Sequence, residues 1–313
     1  SPEPYLRNAT VEIFTGEFKY TDSFENITPD DQQLTSDIVV TTIDQLLSSV
    51  ISHTKSDRLL NYLSAHVVFD EYHEYINMPA FNLLFAELIT SRNKLKGGSN
   101  ALLVSATPHY FYLKEVLNVD LDYDVVEMES FNDKKYQFDF AVYDETQESQ
   151  TNPLYKKQEL TTFVISNTAT TAQKSFIYNL GTENAILIHS KFKRSDKKLL
   201  FNNVFEAFKR DGNQAYELLR SGPIVQASLN ISCDYMVSEI TTAENCLQRM
   251  GRLDRFGQNN AINRYTIAIP ETLNAGKGTG SVARFLSSSN ELASAKAWYA
   301  FLLEKTDNGN RVH

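Results

Sequence analysis

VVFDEYHE (67–74) opens on a β-branched, aromatic run and closes on four residues rich in chemistry. The apolar half reads as a short buried strand. Asp70 and Glu71 then emerge at its carboxyl end, where open α/β sheets bind their ligands. Two adjacent carboxylates there can hold a hydrated magnesium ion and orient an attacking water. The natural division gives Asp70 the metal and Glu71 the water. An acidic turn after a strand is the competing reading, and this motif alone does not exclude it.

Working outward, short apolar runs alternate with segments of helical spacing. IVVT (38–41) and ALLV (101–104) read as strands, and DQLLSSVI (44–51) and PAFNLLFAELI (79–89) as helices. After a polar stretch the pattern resumes. Strands are expected at 136–143, 162–166, 185–188, 223–226, 235–238 and 264–269. Helices are expected at 168–180, 195–210 (with Ser195 as N-cap), 242–250 and 290–305. Such alternation predicts parallel sheets covered by helices. The expected organisation is a first lobe at 1–125, a second at 126–272, and a linker with a terminal helix at 273–313.

Two further motifs follow strands or lie on helices. Ser105-Ala106-Thr107 ends the 101–104 strand, where Ser105 and Thr107 can bond to the acidic motif and relay nucleotide state. Gln248-Arg249-Met250-Gly251-Arg252-Leu253-Asp254-Arg255 places Gln248, Arg252 and Arg255 at spacings of four and three, on one face if the helix continues. A permanently charged guanidinium suits the charge on a transferred phosphoryl group. Arg255 is expected as the arginine finger and Arg252 as a second phosphate contact. The order of the motifs suits a motor that closes two lobes around ATP, with water activation on one and arginines on the other.

Together these motifs resemble motifs II, III and VI of superfamily 2 helicases. VVTTIDQLL (39–47), VVFDEYHE, SATP (105–108), ILIHSKF (186–192) and QRMGRLDRFG (248–257) are similar to the helicase–nuclease of type I CRISPR systems. The resemblance covers about residues 38–257 and implies two RecA-like lobes, the first incomplete at its N-terminus. It implies catalytic roles for Asp70, Glu71, His73, Gln248, Arg252 and Arg255. Nucleic-acid contacts are implied for Thr41, Thr42 and Gln45, beside Asp44, and for Ser166, Asn167, Thr168, His189, Ser190, Lys191, Gln226 and Ser228. It also implies ATP and Mg2+ as cofactors. Single-stranded DNA and a guide-RNA surveillance complex are the implied partners. The intact enzyme would load on the displaced strand of an R-loop, move 3′ to 5′ and feed a nuclease.

The chain departs from that family at two places. Ser228-Leu229-Asn230-Ile231-Ser232 stands where the family usually carries S-L-D-I-D, so an amide and a hydroxyl that can hydrogen-bond replace two charges there. No G-x-x-x-x-G-K-[ST] phosphate loop occurs, and GKGTGS (276–281) lacks the Ser or Thr after its lysine and reads as a linker. The expectation is a chain beginning inside the first lobe, completed by another polypeptide segment and inactive alone. None of the six histidines precedes an Asp, so the family's His-Asp nuclease site is not in these residues. The rival readings are a superfamily 2 helicase of another branch, acting on DNA or RNA, and a non-catalytic helicase fragment that binds nucleic acid or protein.

Composition narrows the classes. Hydrophobic residues make up 42% and charged residues 22%, so ordinary cores can form in 313 residues. The net charge of −9 argues against a bulk DNA-coating protein but allows a strand to be held by amides, hydroxyls and a local basic groove. Lys191, Lys193, Arg194, Lys197 and Lys198 form a basic cluster, read as a solvated helix start with a phosphate-facing patch as the alternative. Two cysteines outside any C-x-x-C pair point to a reducing cytoplasm.

Overall fold

The computed structural model describes residues 9–15, 19–22, 34–52, 56–76, 78–95, 99–129, 132, 134–157, 161–225, 229–274 and 280–306. The chain divides into two compact units, Ser1–Glu127 and Met128–His313.

The first unit carries strands β1 (Val11–Phe14), β2 (Lys19–Asp22), β3 (Ile38–Thr41), β4 (Val67–Phe69) and β5 (Ala101–Leu103). Helices α1 (Ile43–Ser52), α2 (Ser56–Ser64) and α3 (Pro79–Lys94) accompany them. β1 pairs β3 in parallel and β2 in antiparallel, while β4 pairs β5 in parallel. Phe69 from β4 packs edge-on against Phe85 from α3, with ring centroids 5.0 Å apart. Leu46, Leu47, Tyr62, Leu88 and Ile89 close the same core. Arg92, on the buried side of α3, donates to the carbonyls of Tyr62, Ala65 and Asn100 and so ties α2 to the start of β5. Burial of a cation is tolerated there because three carbonyls replace its water.

The second unit is built on one fully parallel six-stranded sheet. Its strands are β6 (Tyr136–Tyr143), β7 (Thr162–Ile165), β8 (Ala185–Ile188), β9 (Leu218–Ser221), β10 (Tyr235–Glu239) and β11 (Asn263–Pro270). Their order is β6-β11-β10-β7-β9-β8. Parallel strands need crossovers, which cover both faces and bury the sheet on each side. Alternating residues therefore enter different cores. Phe163, Ile165, Met236 and Ile267 join the larger cluster, and Val164, Val237, Leu218 and Ala268 the smaller.

The helices of this unit are α4 (Glu148–Thr151), α5 (Ala169–Tyr178), α6 (Arg194–Phe208), α7 (Ala243–Met250), α8 (Ser281–Ser288) and α9 (Leu292–Lys305). The terminal segment does not stand apart as the sequence suggested. Val282, Leu286, Ala295 and Leu302 from α8 and α9 belong to the main core of the sheet unit. Glu145 accepts from the Ser281 N–H and hydroxyl, both at 2.9 Å, placing a carboxylate at the N-terminus of α8.

Two local expectations change. The strand expected at 223–226 is a 3-10 turn at Pro223–Val225, and the strand is Leu218–Ser221. Arg220 in its middle disguised it. That side chain is fully buried and pairs with Glu183 at 2.9 Å, while also donating to the carbonyls of Leu154 and Lys156. Helix α6 starts one residue earlier than expected, with Lys193 at the N-cap position, and Ser195 bonds to Asp196 instead. No helix among the described residues is long and apolar enough to cross a membrane.

Candidate functional site

In the first unit the two motif-bearing strands lie side by side. Val104 N–H donates to Phe69 O (2.9 Å) and Tyr72 N–H to Val104 O (3.3 Å), so the chain leaves β4 and β5 at the same edge. Asp70 and Glu71 are exposed there. Glu71 adopts φ 50°, ψ 43°, a left-handed conformation that costs a non-glycine residue on the order of 1 kcal/mol. The turn it makes swings His73 inward. His73 is buried, its Nδ1 lies 2.8 Å from Ser105 Oγ and 3.3 Å from Glu71 Oε2, and its Nε2 lies 3.7 Å from Glu74 Oε1. Ser105 Oγ also accepts from the Thr107 N–H at 3.0 Å. The Thr107 hydroxyl is buried without a hydrogen-bond partner. The surface carboxylate of Glu71 and the strand-end serine thus meet at one ring nitrogen, His73 Nδ1.

The same unit places Thr41 at the end of β3, where its hydroxyl donates to Phe14 O at 2.7 Å. Thr42 is exposed just before α1, and Gln45, in the first turn of α1, donates to Asp44 at 3.2 Å. Among the described residues no group of three or more His, Cys, Asp or Glu side chains forms a cage for a metal ion. Hydrated magnesium asks for less, one or two carboxylates with water completing the shell, and Asp70 with Glu71 provides that donor chemistry.

In the second unit the arginine motif begins on α7, capped by Thr242, whose hydroxyl accepts from the Asn245 N–H at 3.4 Å. α7 ends at Met250, as expected, and does not continue through Arg252 and Arg255, which lie in turns on either side of Leu253. Leu253 is fully buried and bridges Cys233 in parallel fashion, and Asp254 adopts φ 47°. Burying Leu253 in the core turns the chain out of helical register, so Arg252 and Arg255 do not share a helix face with Gln248. Asp254 stabilises the new course. Its carboxylate accepts from the N–H groups of Gln258 (2.7 Å) and Asn259 (3.1 Å) and from the Asn263 amide (3.2 Å). Arg255 is half-buried, with its Nε donating to Asn230 Oδ1 and its Nη1 to Gly251 O at 3.0 Å.

Several residues expected at the nucleic-acid surface point inward. Ser166 is fully buried. Asn167 donates its amide to Ile240 O (2.9 Å), accepts from Arg249 (2.9 Å) and gives its N–H to Glu239. Thr168 caps α5 by accepting from the Thr171 N–H at 3.1 Å. His189 is buried, stacks on Phe192 with centroids 4.1 Å apart, and uses both ring nitrogens, one toward Gln173 (2.8 Å) and one toward the Lys191 N–H (3.2 Å). Burial, and then the Lys191 charge, holds its pKa below the usual histidine range. Asn167 and His189 are held in the sheet's carboxyl edge by partners from other elements, Arg249 and Glu239 for the first and Gln173 for the second. Ser190 and Lys191 beside them are exposed. Gln226 and Ser228 lie outside the described residues.

Sequence reasoning passed over the residue that organises this edge. Arg249 is buried, donating to Ser238 Oγ (2.6 Å), Glu239 O (3.1 Å) and Asn167 Oδ1. It thereby joins α7 to the ends of β7 and β10. Burial pushes the Glu239 carboxyl up to about 7, against the lowering effects of the Asn167 N–H and the Arg249 charge. The available signal was spacing, since Arg249 follows the buried Cys246 by three residues and falls on the same inward face.

Residues 5–116 match the family model of the DEAD/DEAH box helicase, and residues 158–258 match that of the CRISPR-associated nuclease/helicase Cas3, C-terminal. The chain carries a DEAD/DEAH helicase domain and a Cas3 C-terminal region. DEYH and SAT fall within the helicase match, and QRMGRLDR within the Cas3 match. A putative CRISPR-associated nuclease/helicase Cas3 of Myxococcus xanthus (strain DK1622) is 32% identical over 71 residues, 23% of this chain and 9% of the relative. The structure of T. fusca Cas3 with ATP superposes with a TM-score of 0.71 at 19% identity, covering 90% of this chain and 38% of that one. A chain from a CRISPR RNA-guided surveillance complex, pre-nicking, gives 0.68 at 18% identity, covering 90% and 40%. The fold is the α/β fold of RecA-like helicase lobes. The chain thus spans under half the length of the Cas3 proteins it matches.

Proposed function

We propose that this Cas3-like chain is the motor part of an ATP-driven single-stranded DNA translocase that unwinds target DNA and helps to degrade it in CRISPR interference. The observation that carries this reading is the contact of Ser105 with His73, 2.8 Å apart, beside Glu71 at the shared end of two parallel strands. A surface helix or ordinary acidic turn has no need to bury a histidine between a carboxylate and the next strand's serine. A nucleotide-responsive site does, because movement at the carboxylate is then felt at the second strand.

In this reading Asp70 holds magnesium through water, and Glu71 orients the attacking water and accepts its proton. Magnesium, when bound, neutralises phosphate charge. Arg255 and Arg252 stabilise charge on the transferring phosphoryl group, with Gln248 nearby in sequence as a hydrogen-bonding partner. Thr42, Gln45, Ser190 and Lys191 suit backbone contacts with a single strand, since such contacts need donors and one local charge rather than a basic surface. The Cas3 chain seen in a surveillance complex supports a guide-RNA complex as the recruiting partner.

The test is ATP hydrolysis by the full gene product with and without single-stranded DNA. Stimulation by DNA is expected, and turnover indifferent to any nucleic acid would remove the translocase reading. Since these 313 residues contain no phosphate-loop motif, they alone are expected to hydrolyse ATP negligibly.

A further inference from the structure

The segment Asn230–Cys233 runs beside Arg252–Arg255. The Cys233 N–H donates to Arg252 O (3.0 Å), and the Asp254 N–H donates to Cys233 O (2.9 Å). The Arg255 N–H donates to Ser232 Oγ at 3.0 Å, and the Arg255 Nε donates to Asn230 Oδ1. Ile231 and Leu253, both fully buried, anchor the two segments in the core. Arg255 is therefore held at its backbone by Ser232 and at its guanidinium by Asn230 through Nε and by Gly251 O through Nη1. Among the described residues no carboxylate lies within ion-pair distance of it.

We propose that Asn230 and Ser232 are the positioning residues that aim Arg255 at the phosphoryl group, a proposal that rests on Arg255 having that role. These are the two positions at which the chain departs from S-L-D-I-D. What the seat requires is an acceptor oxygen at each, not a negative charge, and an amide and a hydroxyl meet that requirement. An arginine left without the Asn230 acceptor keeps only the Gly251 carbonyl on its guanidinium and gains side-chain freedom. It must then be re-ordered in each transition state, which lowers turnover more than nucleotide affinity.

The experiment has two arms on the full gene product. In the first, the Arg255 Nε–H resonance is followed by 15N–1H NMR and assigned by its absence in Arg255→Lys. It should be slow to exchange in the wild type and in Asn230→Asp, and fast in Asn230→Ala. In the second, DNA-stimulated ATP turnover is measured. Asn230→Ala should lower kcat about tenfold, the worth of one hydrogen bond to a charged group, with KM for ATP near the wild-type value and the melting temperature unchanged. Asn230→Asp should restore kcat, and Asn230→Ala should have no further effect in an Arg255→Lys background. Equal exchange in the wild type and Asn230→Ala overturns the seat, as do additive effects in the double variant. A wild type that turns over no ATP overturns the motor reading, while the exchange arm still decides whether Asn230 holds Arg255.

Discussion

Replacing Glu239 with Gln should abolish a pH dependence that the fold builds into the second unit. Glu239 is buried at the end of β10, and its Oε2 accepts from the Asn167 N–H. Burial raises its pKa from 4.5 to about 7. The unfolded chain releases this proton near 4.5, whereas the folded chain holds it until about 7. The folded state therefore binds more protons across that window, and stability falls as pH rises through it. At about 1.4 kcal/mol per pKa unit, the loss between pH 4.5 and pH 8 amounts to about 3 kcal/mol. Glutamine keeps an oxygen for the Asn167 N–H but carries no proton to lose. His189, whose depressed pKa costs stability as pH falls below its ordinary value, acts equally in both proteins and cancels from the comparison. Urea unfolding read by fluorescence suits the measurement, because the chain's single tryptophan, Trp298, packs against the core of this unit. The variant should gain about 3 kcal/mol on the wild type between pH 4.5 and pH 8. Parallel pH profiles for the two proteins would refute the argument.

Other expectations are simpler. Ser105→Ala removes the link from the second strand to His73 and should reduce ATP turnover about tenfold, the worth of one good hydrogen bond, while costing the first unit about 1 kcal/mol of stability; unchanged turnover would show that the contact is idle. Thr168→Ala removes the cap of α5 and should destabilise the second unit by about 1 kcal/mol, again read by Trp298 fluorescence. Cys233 and Cys246 are buried, and burial pushes both thiols up. Thiol reagents at pH 8 should leave both unmodified in the native protein and label both in urea, and rapid native labelling would contradict the packing.

The sequence was most legible where a single physical signal dominated. β6 runs Tyr136–Tyr143 and β8 runs Ala185–Ile188, where their β-branched and aromatic residues predict strands, and both form the edges of the sheet. Thr168 and Thr242 stand immediately before α5 and α7 and cap them. Legibility failed where a buried polar group broke the pattern. Arg220 hid β9, since its partners Glu183, Leu154 and Lys156 are distant in sequence and local reading cannot supply them. At the arginine motif the end of the helix at Met250 was legible and the path beyond it was not. Its four-then-three spacing favours a helix, but burial of Leu253 against Cys233 prevails over local propensity and bends the chain. At the candidate site, DEYH and SAT were readable because each follows a strand. The inward turn of Asn167 and His189 was not, because it depends on Arg249, Glu239 and Gln173 reaching them from other elements.

The central claim is that Glu71 activates water for ATP hydrolysis, and one variant tests it most directly. Glu71→Gln in the full gene product keeps the side-chain shape and removes the base. DNA-stimulated hydrolysis should fall by about a hundredfold or more, the typical contribution of a positioned general base, while ATP binding measured by equilibrium titration persists. Hydrolysis at the wild-type rate in Glu71→Gln would contradict the account.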